Sequence, residues 1–174
     1  MQDILVVVDM QNDFIDGALG TKEAVAIVPN VLKKIQSFDG TLIFTQDTHF
    51  ENYLDTQEGK NLPVKHCIKD SEGWQIRSEL IPDREYYCLE KPTFGSEELG
   101  NLLVQLNEEE EISTITFVGL CTDICVISNV MLTKAFLPEV PLIVDASCCA
   151  GVSVETHLNA LNAMKVCQIK VINE

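Results

Sequence analysis

The run Ile4-Leu5-Val6-Val7-Val8, which is followed by Asp9, is the first of six short, mostly apolar stretches that decide the fold of this 174-residue chain. Consecutive positions of the run are apolar, and this is typical of a strand buried on both faces of a parallel sheet. Five further runs of this kind are predicted to be strands. They cover residues 41–45, 86–89, 115–118, 142–144 and 168–172.

Segments with helical spacing separate these runs. Apolar residues recur at intervals of three and four positions, which predicts amphipathic helices. The predicted helices lie within residues 28–35, 99–106, 124–132 and 154–164, with a shorter one at 74–80. Strands that alternate with helices favour an α/β protein with three layers, α/β/α, around a six-stranded parallel sheet. Since no repeat or linker interrupts the pattern, residues 1–174 are predicted to form one domain.

Composition restricts the classes of function. The chain has 12 Lys and Arg against 27 Asp and Glu, a net charge of −15, so neither nucleic acid nor an anionic membrane is expected as a partner. No apolar run approaches the roughly 18 residues of a membrane span, and no signal peptide is predicted. Seven cysteines without an export signal favour free thiols in the cytoplasm.

Reactive side chains stand at the ends of five predicted strands. In chain order they are Asp9, Asp47, His49, Lys91, Cys125 and Asp145. In an open parallel sheet, ligands bind beyond the carboxyl ends of the strands, at the switch point of strand order. The pattern therefore predicts an active site at this edge. No Gly-x-Gly-x-x-Gly, Walker or Gly-x-Ser-x-Gly motif is present, which argues against dinucleotide, nucleotide triphosphate and serine hydrolase sites.

Cys125 is the candidate nucleophile at this edge. It lies near the start of a predicted helix, and the helix dipole together with Lys91 should lower the pKa of its thiol. Asp9 can accept the thiol proton and deliver it to a leaving amine, and its apolar neighbours should raise its own pKa. The alternative for Asp9 is that it caps the end of its strand, and the alternative for Lys91 is that it is a solvated surface residue. Five further cysteines are expected to be small buried hydrophobic residues: Cys67, Cys88, Cys148, Cys149 and Cys167.

A candidate metal site lies in the irregular stretch 46–70, whose length is typical of a functional loop. On an extended segment Asp47 and His49 point the same way, so both can reach one ion. His66 can supply a third ligand, and either Glu58 or Asp55 a fourth. Two imidazoles with carboxylate suit Zn, Fe or Mn better than Ca. In the last predicted helix, His157 is expected to be structural.

Five motifs occur together in this chain. They are Asp9-Met10-Gln11-Asn12-Asp13-Phe14, Gln46-Asp47-Thr48-His49, Pro63-Val64-Lys65-His66-Cys67, Lys91-Pro92-Thr93-Phe94 and Gly119-Leu120-Cys121-Thr122-Asp123-Ile124-Cys125-Val126. In order and spacing they resemble the isochorismatase-like cysteine hydrolases, and within these the nicotinamidases. The resemblance covers nearly the whole chain and implies a Rossmann-like isochorismatase-like hydrolase fold.

The resemblance implies a catalytic triad of Asp9, Lys91 and Cys125. It also implies a cis peptide between Leu120 and Cys121, with the N–H groups of Cys121 and Cys125 forming an oxyanion hole. The implied reaction is the hydrolysis of a small amide, nicotinamide to nicotinate and ammonia, through a thioester, as in pyridine nucleotide salvage.

The resemblance further implies one divalent metal ion, zinc before iron or manganese, which would hold the pyridine nitrogen of the substrate. The implied ligands are Asp47, His49, His66 and, in preference to Asp55, Glu58. A homo-oligomer is also expected.

The implied substrate-binding residues are Phe14, Leu62 and Phe94. Leu62 stands where nicotinamide-binding relatives often carry Trp, and the lysine segment is shorter than in many of them. Two alternatives remain open. One is a metal-free isochorismatase-like hydrolase acting on another small amide or a vinyl ether, and the other is a non-catalytic metal- or redox-responsive binding protein.

Overall fold

Six parallel strands form the centre of the computed structural model, which describes residues 1–174. In chain order they are β1 (Gln2–Val8), β2 (Thr41–Asp47), β3 (Tyr87–Lys91), β4 (Ile112–Leu120), β5 (Leu142–Ala150) and β6 (Lys170–Ile172). Across the sheet their order is β3-β2-β1-β4-β5-β6. Strand order reverses between β1 and β4, so the switch point lies at the carboxyl ends of these two strands.

Helices cover both faces of the sheet. They are α1 (Asn12–Ile15), α2 (Lys22–Ser37), α3 (Gln57–Asn61), α4 (Glu97–Glu109), α5 (Ile127–Phe136) and α6 (Val154–Val166). Ile4, Val6 and Val8 of β1 pack in one core with α4, α5 and α6. Leu5 and Val7 pack in a second core with α1 and α2. All five side chains are fully buried, so the predicted three-layer fold with a six-stranded parallel sheet is confirmed.

The helix predicted at 74–80 is wrong except for a 3₁₀ turn at Ser78–Leu80. The segment before this turn runs alongside residues 10–12, where the N–H of Asn12 donates to the carbonyl of Gln75 at 3.0 Å. Backbone groups that pair with a distant segment are not available for helical hydrogen bonds. Apolar spacing alone does not reveal that competition.

The placement of Asp145 after the fifth strand is also wrong, because β5 continues beyond Val144 through an irregular register. Asp145 lies inside β5, and its carboxylate accepts hydrogen bonds from Lys34 at 2.8 Å, Ser147 at 2.8 Å and Asn173 at 3.0 Å. Burial opposes ionisation of Asp145, but these donors lower its pKa below the ordinary value. The residue ties β5 to its neighbours and takes no part in the predicted site.

Two cysteines depart from the expected burial. Cys88 and Cys167 are exposed, whereas Cys67, Cys148 and Cys149 are buried as predicted. All seven thiols are free. No helix in the structure combines the length and apolar composition that crossing a bilayer requires.

Candidate active site

Lys91 lies at the centre of a buried group of reactive side chains beyond the carboxyl ends of the central strands. Its Nζ is 2.6 Å from Oδ2 of Asp9, 3.3 Å from Sγ of Cys125 and 3.4 Å from Oδ1 of Asp47. It also donates to the carbonyl of Thr93 at 3.0 Å. Asp9, Asp47, Lys91 and Cys125 are all buried, and none of them is more than 4% exposed. The structure thus brings the three predicted triad residues together and places them against the candidate metal ligands.

Asp9 is fixed by the turn that follows β1 and by a residue that sequence reasoning missed. Its φ of +46° lies in the left-handed region, which a short polar side chain tolerates better than most. The hydroxyl of Thr45 donates to Oδ1 of Asp9 at 2.7 Å. Oδ2 is therefore left facing Lys91 and the thiol side of the site.

The charges of Asp9 and Lys91 depend on each other. Burial raises the pKa of Asp9, and the ammonium group of Lys91 opposes that shift. Burial acts against the charged form of Lys91, but Asp9, Cys125 and Asp47 together hold its pKa above the ordinary value. Lys91 is therefore an ammonium ion at neutral pH, and Asp9 faces it at ion-pair distance.

Cys125 lies in a π-helical turn, Thr122–Val126, that precedes α5. Cys125 thus lies near the start of a helix, as predicted, although α5 itself begins only at Ile127. Asn129 anchors the turn, since its amide nitrogen donates to the carbonyls of Cys125 at 2.8 Å and of Phe94 at 3.0 Å. Asn129 was missed in the sequence, although a polar residue four positions after the cysteine in an apolar helix is a usable signal.

The expected lowering of the thiol pKa is contradicted by the surroundings of Cys125. Burial raises the pKa of the thiol well above its ordinary value, the carboxylate of Asp9 raises it further, and Lys91 opposes both. Full burial outweighs the nearby cation because a thiolate loses its hydration there. The resting site accordingly holds a neutral thiol beside the side chains of Asp9 and Lys91.

The peptide bond between Leu120 and Cys121 is cis. Just before it, Gly119 has a φ of +119°, and a Cβ at this position would lie 2.1 Å from the carbonyl oxygen of Val8. Only glycine fits so close an approach between β1 and β4. The N–H of Cys121 makes no hydrogen bond with another backbone group, so it is available to a ligand at the switch point.

His157 of α6 lies beside the π-helical turn Thr122–Val126 that contains Cys125. Its Nδ1 lies 2.7 Å from Oγ1 of Thr122, and burial lowers the pKa of the imidazole. The imidazole of His157 and the Thr122 hydroxyl thus share a hydrogen bond. This contact fits the structural role expected for His157.

The candidate metal ligands converge beside Lys91. Ligand atoms of Asp47, His49 and His66 all lie within 4.8 Å of one another, and all three residues are buried. Oδ2 of Asp47 is 3.0 Å from Nε2 of His49 and 3.6 Å from Nε2 of His66. Oε1 of Glu58 is 3.5 Å from the first of these nitrogens and 3.6 Å from the second. Asp55 is exposed and joins neither histidine.

The carboxylate oxygens of Asp47 and Glu58 lie 3.0–3.6 Å from the two imidazole nitrogens, which is close to the spacing of ligand atoms around one metal ion. Metal–ligand bonds of about 2.0–2.2 Å place neighbouring ligand atoms about 3.3–3.6 Å apart. The buried Nε2 of His49 has no properly aligned hydrogen-bond partner. Nδ1 of His66 lies 2.8 Å from the carbonyl of Val64, which leaves Nε2 of His66 free to face the carboxylates.

The electrostatics of this group also favour a cation. Burial lowers the pKa of His49, but Asp47 and Glu58 outweigh that effect and raise it to about 9. Burial acts in the opposite sense on Asp47, whose pKa is nonetheless lowered by the two neighbouring imidazoles and by the ammonium group of Lys91. The residues present therefore suit a positive charge between two carboxylates and two imidazoles.

The three predicted substrate-binding residues differ in exposure. Phe14 is 9% exposed, and its ring centroid lies 5.5 Å from that of His66. Leu62 and Phe94 are more open, at 38% and 46% exposed. Tyr53, which sequence reasoning did not single out, is fully buried against both histidine rings. Burial and the carboxylates of Glu58 and Asp47 raise the pKa of Tyr53 to about 12.

Fold and site together define a parallel α/β protein whose switch point carries a buried thiol, ammonium and carboxylate beside a group of metal-ligating side chains. The model of the isochorismatase domain matches residues 3–173. The chain belongs to the isochorismatase family.

Known proteins share this fold over nearly the whole chain. A protein of Bacillus subtilis (strain 168) named uncharacterized isochorismatase family protein PncA is 26% identical over 175 residues, 93% of each chain. The crystal structure of a pyrazinamidase/nicotinamidase from Streptococcus mutans UA159 is similar with 26% identity and a TM-score of 0.83, covering 98% of this chain and 99% of that one. The pyrazinamidase of Pyrococcus horikoshii in complex with zinc shares the fold at 24% identity, with a TM-score of 0.84 over 100% of both chains.

Proposed function

We propose that this chain is a cysteine amidase that hydrolyses a small amide, nicotinamide in the first instance, to the acid and ammonia. The observation that carries the proposal is the position of Lys91 Nζ, 2.6 Å from Asp9 and 3.3 Å from Cys125. Membership of the isochorismatase family and the similarity to the Streptococcus mutans pyrazinamidase/nicotinamidase support it. The proposed hydrolase domain spans residues 1–174.

The first half of the reaction forms a thioester. Sγ of Cys125 attacks the amide carbonyl carbon while its proton passes to Asp9. The oxyanion of the tetrahedral intermediate accepts hydrogen bonds from the N–H groups of Cys121 and Cys125, and such donors typically contribute about 2.7–4 kcal/mol each. The C–N bond then breaks, and Asp9 returns the proton to the departing ammonia.

The second half regenerates the enzyme. Water attacks the thioester carbonyl and gives a proton to Asp9, the C–S bond breaks, and Asp9 returns that proton to the sulfur. Lys91 keeps its positive charge throughout. It stabilises the negative charge that passes between the carboxylate and the sulfur, at no cost in reorganisation.

Asp47, His49, Glu58 and His66 would hold one divalent ion, zinc in preference to iron or manganese. When bound, this ion would fix the pyridine nitrogen of the substrate and so orient the amide toward the thiol. The aromatic ring of Phe14 would form one wall of the pocket, with Leu62 and Phe94 at its more exposed side.

An ammonia-release assay over a panel of small amides tests the proposed reaction. The panel contains nicotinamide, pyrazinamide, benzamide and an N-carbamoyl amino acid. Hydrolysis of nicotinamide well above benzamide is expected, because only the former offers a ring nitrogen to the metal. If no amide in the panel releases ammonia, the non-catalytic binding protein becomes the better explanation.

Metal content is expected to follow the residues that face the two imidazoles. His49→Ala should lose the bound ion, whereas Asp55→Ala should keep it, since Asp55 is exposed and joins neither histidine. Glu58→Ala should weaken retention. Elemental analysis of protein purified without chelator measures all three. A wild-type protein that is fully active without stoichiometric metal would favour the metal-free hydrolase.

Location and assembly remain predictions. The seven free cysteines support a reducing compartment, the cytoplasm. A homo-oligomer is expected from the family resemblance.

A further inference from the structure

We propose that Tyr53 is a positioning residue that couples the candidate metal site to the candidate substrate wall at Leu62. The inference rests on the proposed function, since it assigns a role within the same site. The ring of Tyr53 sets the separation of the two histidine ligands. Its hydroxyl holds the backbone that carries Leu62.

The ring of Tyr53 packs against both histidine ligands. Tyr53 is fully buried, and its ring centroid lies 4.8 Å from that of His49 and 5.0 Å from that of His66. The two imidazoles are themselves 4.9 Å apart. The three rings thus form a closed triangle in which each contacts the other two, and neither imidazole can tilt toward Tyr53 without a clash.

The hydroxyl of Tyr53 donates to the carbonyl of Leu62 at 2.9 Å. The same carbonyl accepts the N–H of Val64 at 2.8 Å, and the carbonyl of Val64 lies 2.8 Å from Nδ1 of His66. The Tyr53 hydroxyl therefore holds the Leu62 end of a short backbone turn, and the Val64 end of the same turn contacts the imidazole of His66 separately.

The backbone carbonyl of Tyr53 accepts the N–H of Thr56 at 3.0 Å and the Thr56 hydroxyl at 2.6 Å. The same hydroxyl caps α3 by accepting the N–H of Gly59 at 3.0 Å. A Cβ on Gly59 would lie 2.1 Å from the Tyr53 carbonyl, so α3, which carries Glu58, is seated directly on Tyr53.

Each half of the side chain has its own consequence. The ring contacts both imidazoles and makes no hydrogen bond to the substrate wall. A phenyl ring without the hydroxyl should therefore preserve metal affinity. The hydroxyl bonds to Leu62, so its loss should loosen the wall while the imidazoles stay in place. Residues that orient metal ligands typically affect metal affinity 10–100-fold.

Two variants of the full chain test the inference. Tyr53→Leu is expected to weaken zinc binding at least tenfold, measured by competition with a chromophoric chelator and independently of activity. Tyr53→Phe is expected to bind zinc within threefold of the wild type, yet to raise KM for the best amide of the panel several-fold with kcat nearly unchanged. If Tyr53→Leu does not fold, Tyr53→Met fills more of the space and is expected to show the same loss of zinc affinity.

Tyr86→Leu is the control, because the ring of Tyr86 packs on Phe44 at 5.2 Å and contacts no candidate ligand. Its zinc affinity should match that of the wild type. Zinc binding that is equally tight in Tyr53→Leu and wild type overturns the inference, as does an unchanged KM in Tyr53→Phe. If the wild type releases no ammonia, the proposed function is contradicted. If Tyr53→Leu nevertheless binds zinc more weakly than that wild type, the metal half of the inference is supported.

Discussion

Replacing Cys125 by alanine is expected to lower the rate of ammonia release at least about 1,000-fold, because loss of a covalent nucleophile removes the whole two-step pathway. Cys88→Ala and Cys167→Ala should keep most of the rate, since both thiols are exposed and stand outside the site. The measurement is steady-state ammonia release at saturating amide. A Cys125→Ala variant that retained more than about a tenth of the rate, a loss of less than about 1.4 kcal/mol, would exclude this cysteine as the nucleophile.

Cys149 offers a control matched in burial. It is 4% exposed, as is Cys125, and both belong to the same hydrophobic core. Cys149→Ala should therefore lower Tm by an amount similar to Cys125→Ala but should leave turnover largely intact. Equal loss of activity in the two variants would mean that the effect comes from destabilisation of the core.

The sequence predicts the fold well because burial on both faces leaves a local mark. A fully apolar run such as residues 4–8 cannot be mistaken for a half-exposed strand, and six strand-like runs between helices leave few other arrangements. The expected burial on both faces fails at the sheet edges, where most residues of β3 and β6 are exposed or only partly buried. The ends of the elements are less visible. β5 continues past Asp145 because Lys34, Ser147 and Asn173 satisfy its carboxylate, and these are contacts across the fold.

The site is predictable in its reactive residues and less so in the residues that hold them. Asp9, Lys91 and Cys125 follow strands that end at one edge, and that position is readable from the sequence. Thr45 and Tyr53 become visible only when distant segments meet, so no local pattern points to them. The same holds for the direction in which the thiol pKa shifts, which depends on how completely the folded chain removes water from the sulfur.

Asp9→Asn is expected to abolish turnover and, at the same time, to make Cys125 react faster with iodoacetamide. Turnover needs a group that accepts the thiol proton and returns it to ammonia, and an amide cannot do so. Alkylation needs only the thiolate. Because the Asp9 carboxylate raises the thiol pKa whereas Lys91 lowers it, removing the carboxylate leaves the ammonium unopposed, and the pKa of Cys125 should fall.

The rate of alkylation against pH separates the two effects. The pH at which the alkylation rate rises is called the reactive limb here. In the wild type this limb should lie above the pKa of a free thiol, roughly 8.5, because burial and Asp9 both raise the thiol pKa. In Asp9→Asn the limb should move to lower pH, so that near neutral pH the rate rises about tenfold for each unit of the shift. Lys91→Met serves as the opposite control, since loss of the cation should move the limb upward. A wild-type limb below that of a free thiol would show that Lys91 outweighs burial and Asp9. An Asp9→Asn variant that alkylates no faster than wild type would show that Asp9 does not act on the sulfur. Asp9 would then be left as a cap at the end of β1.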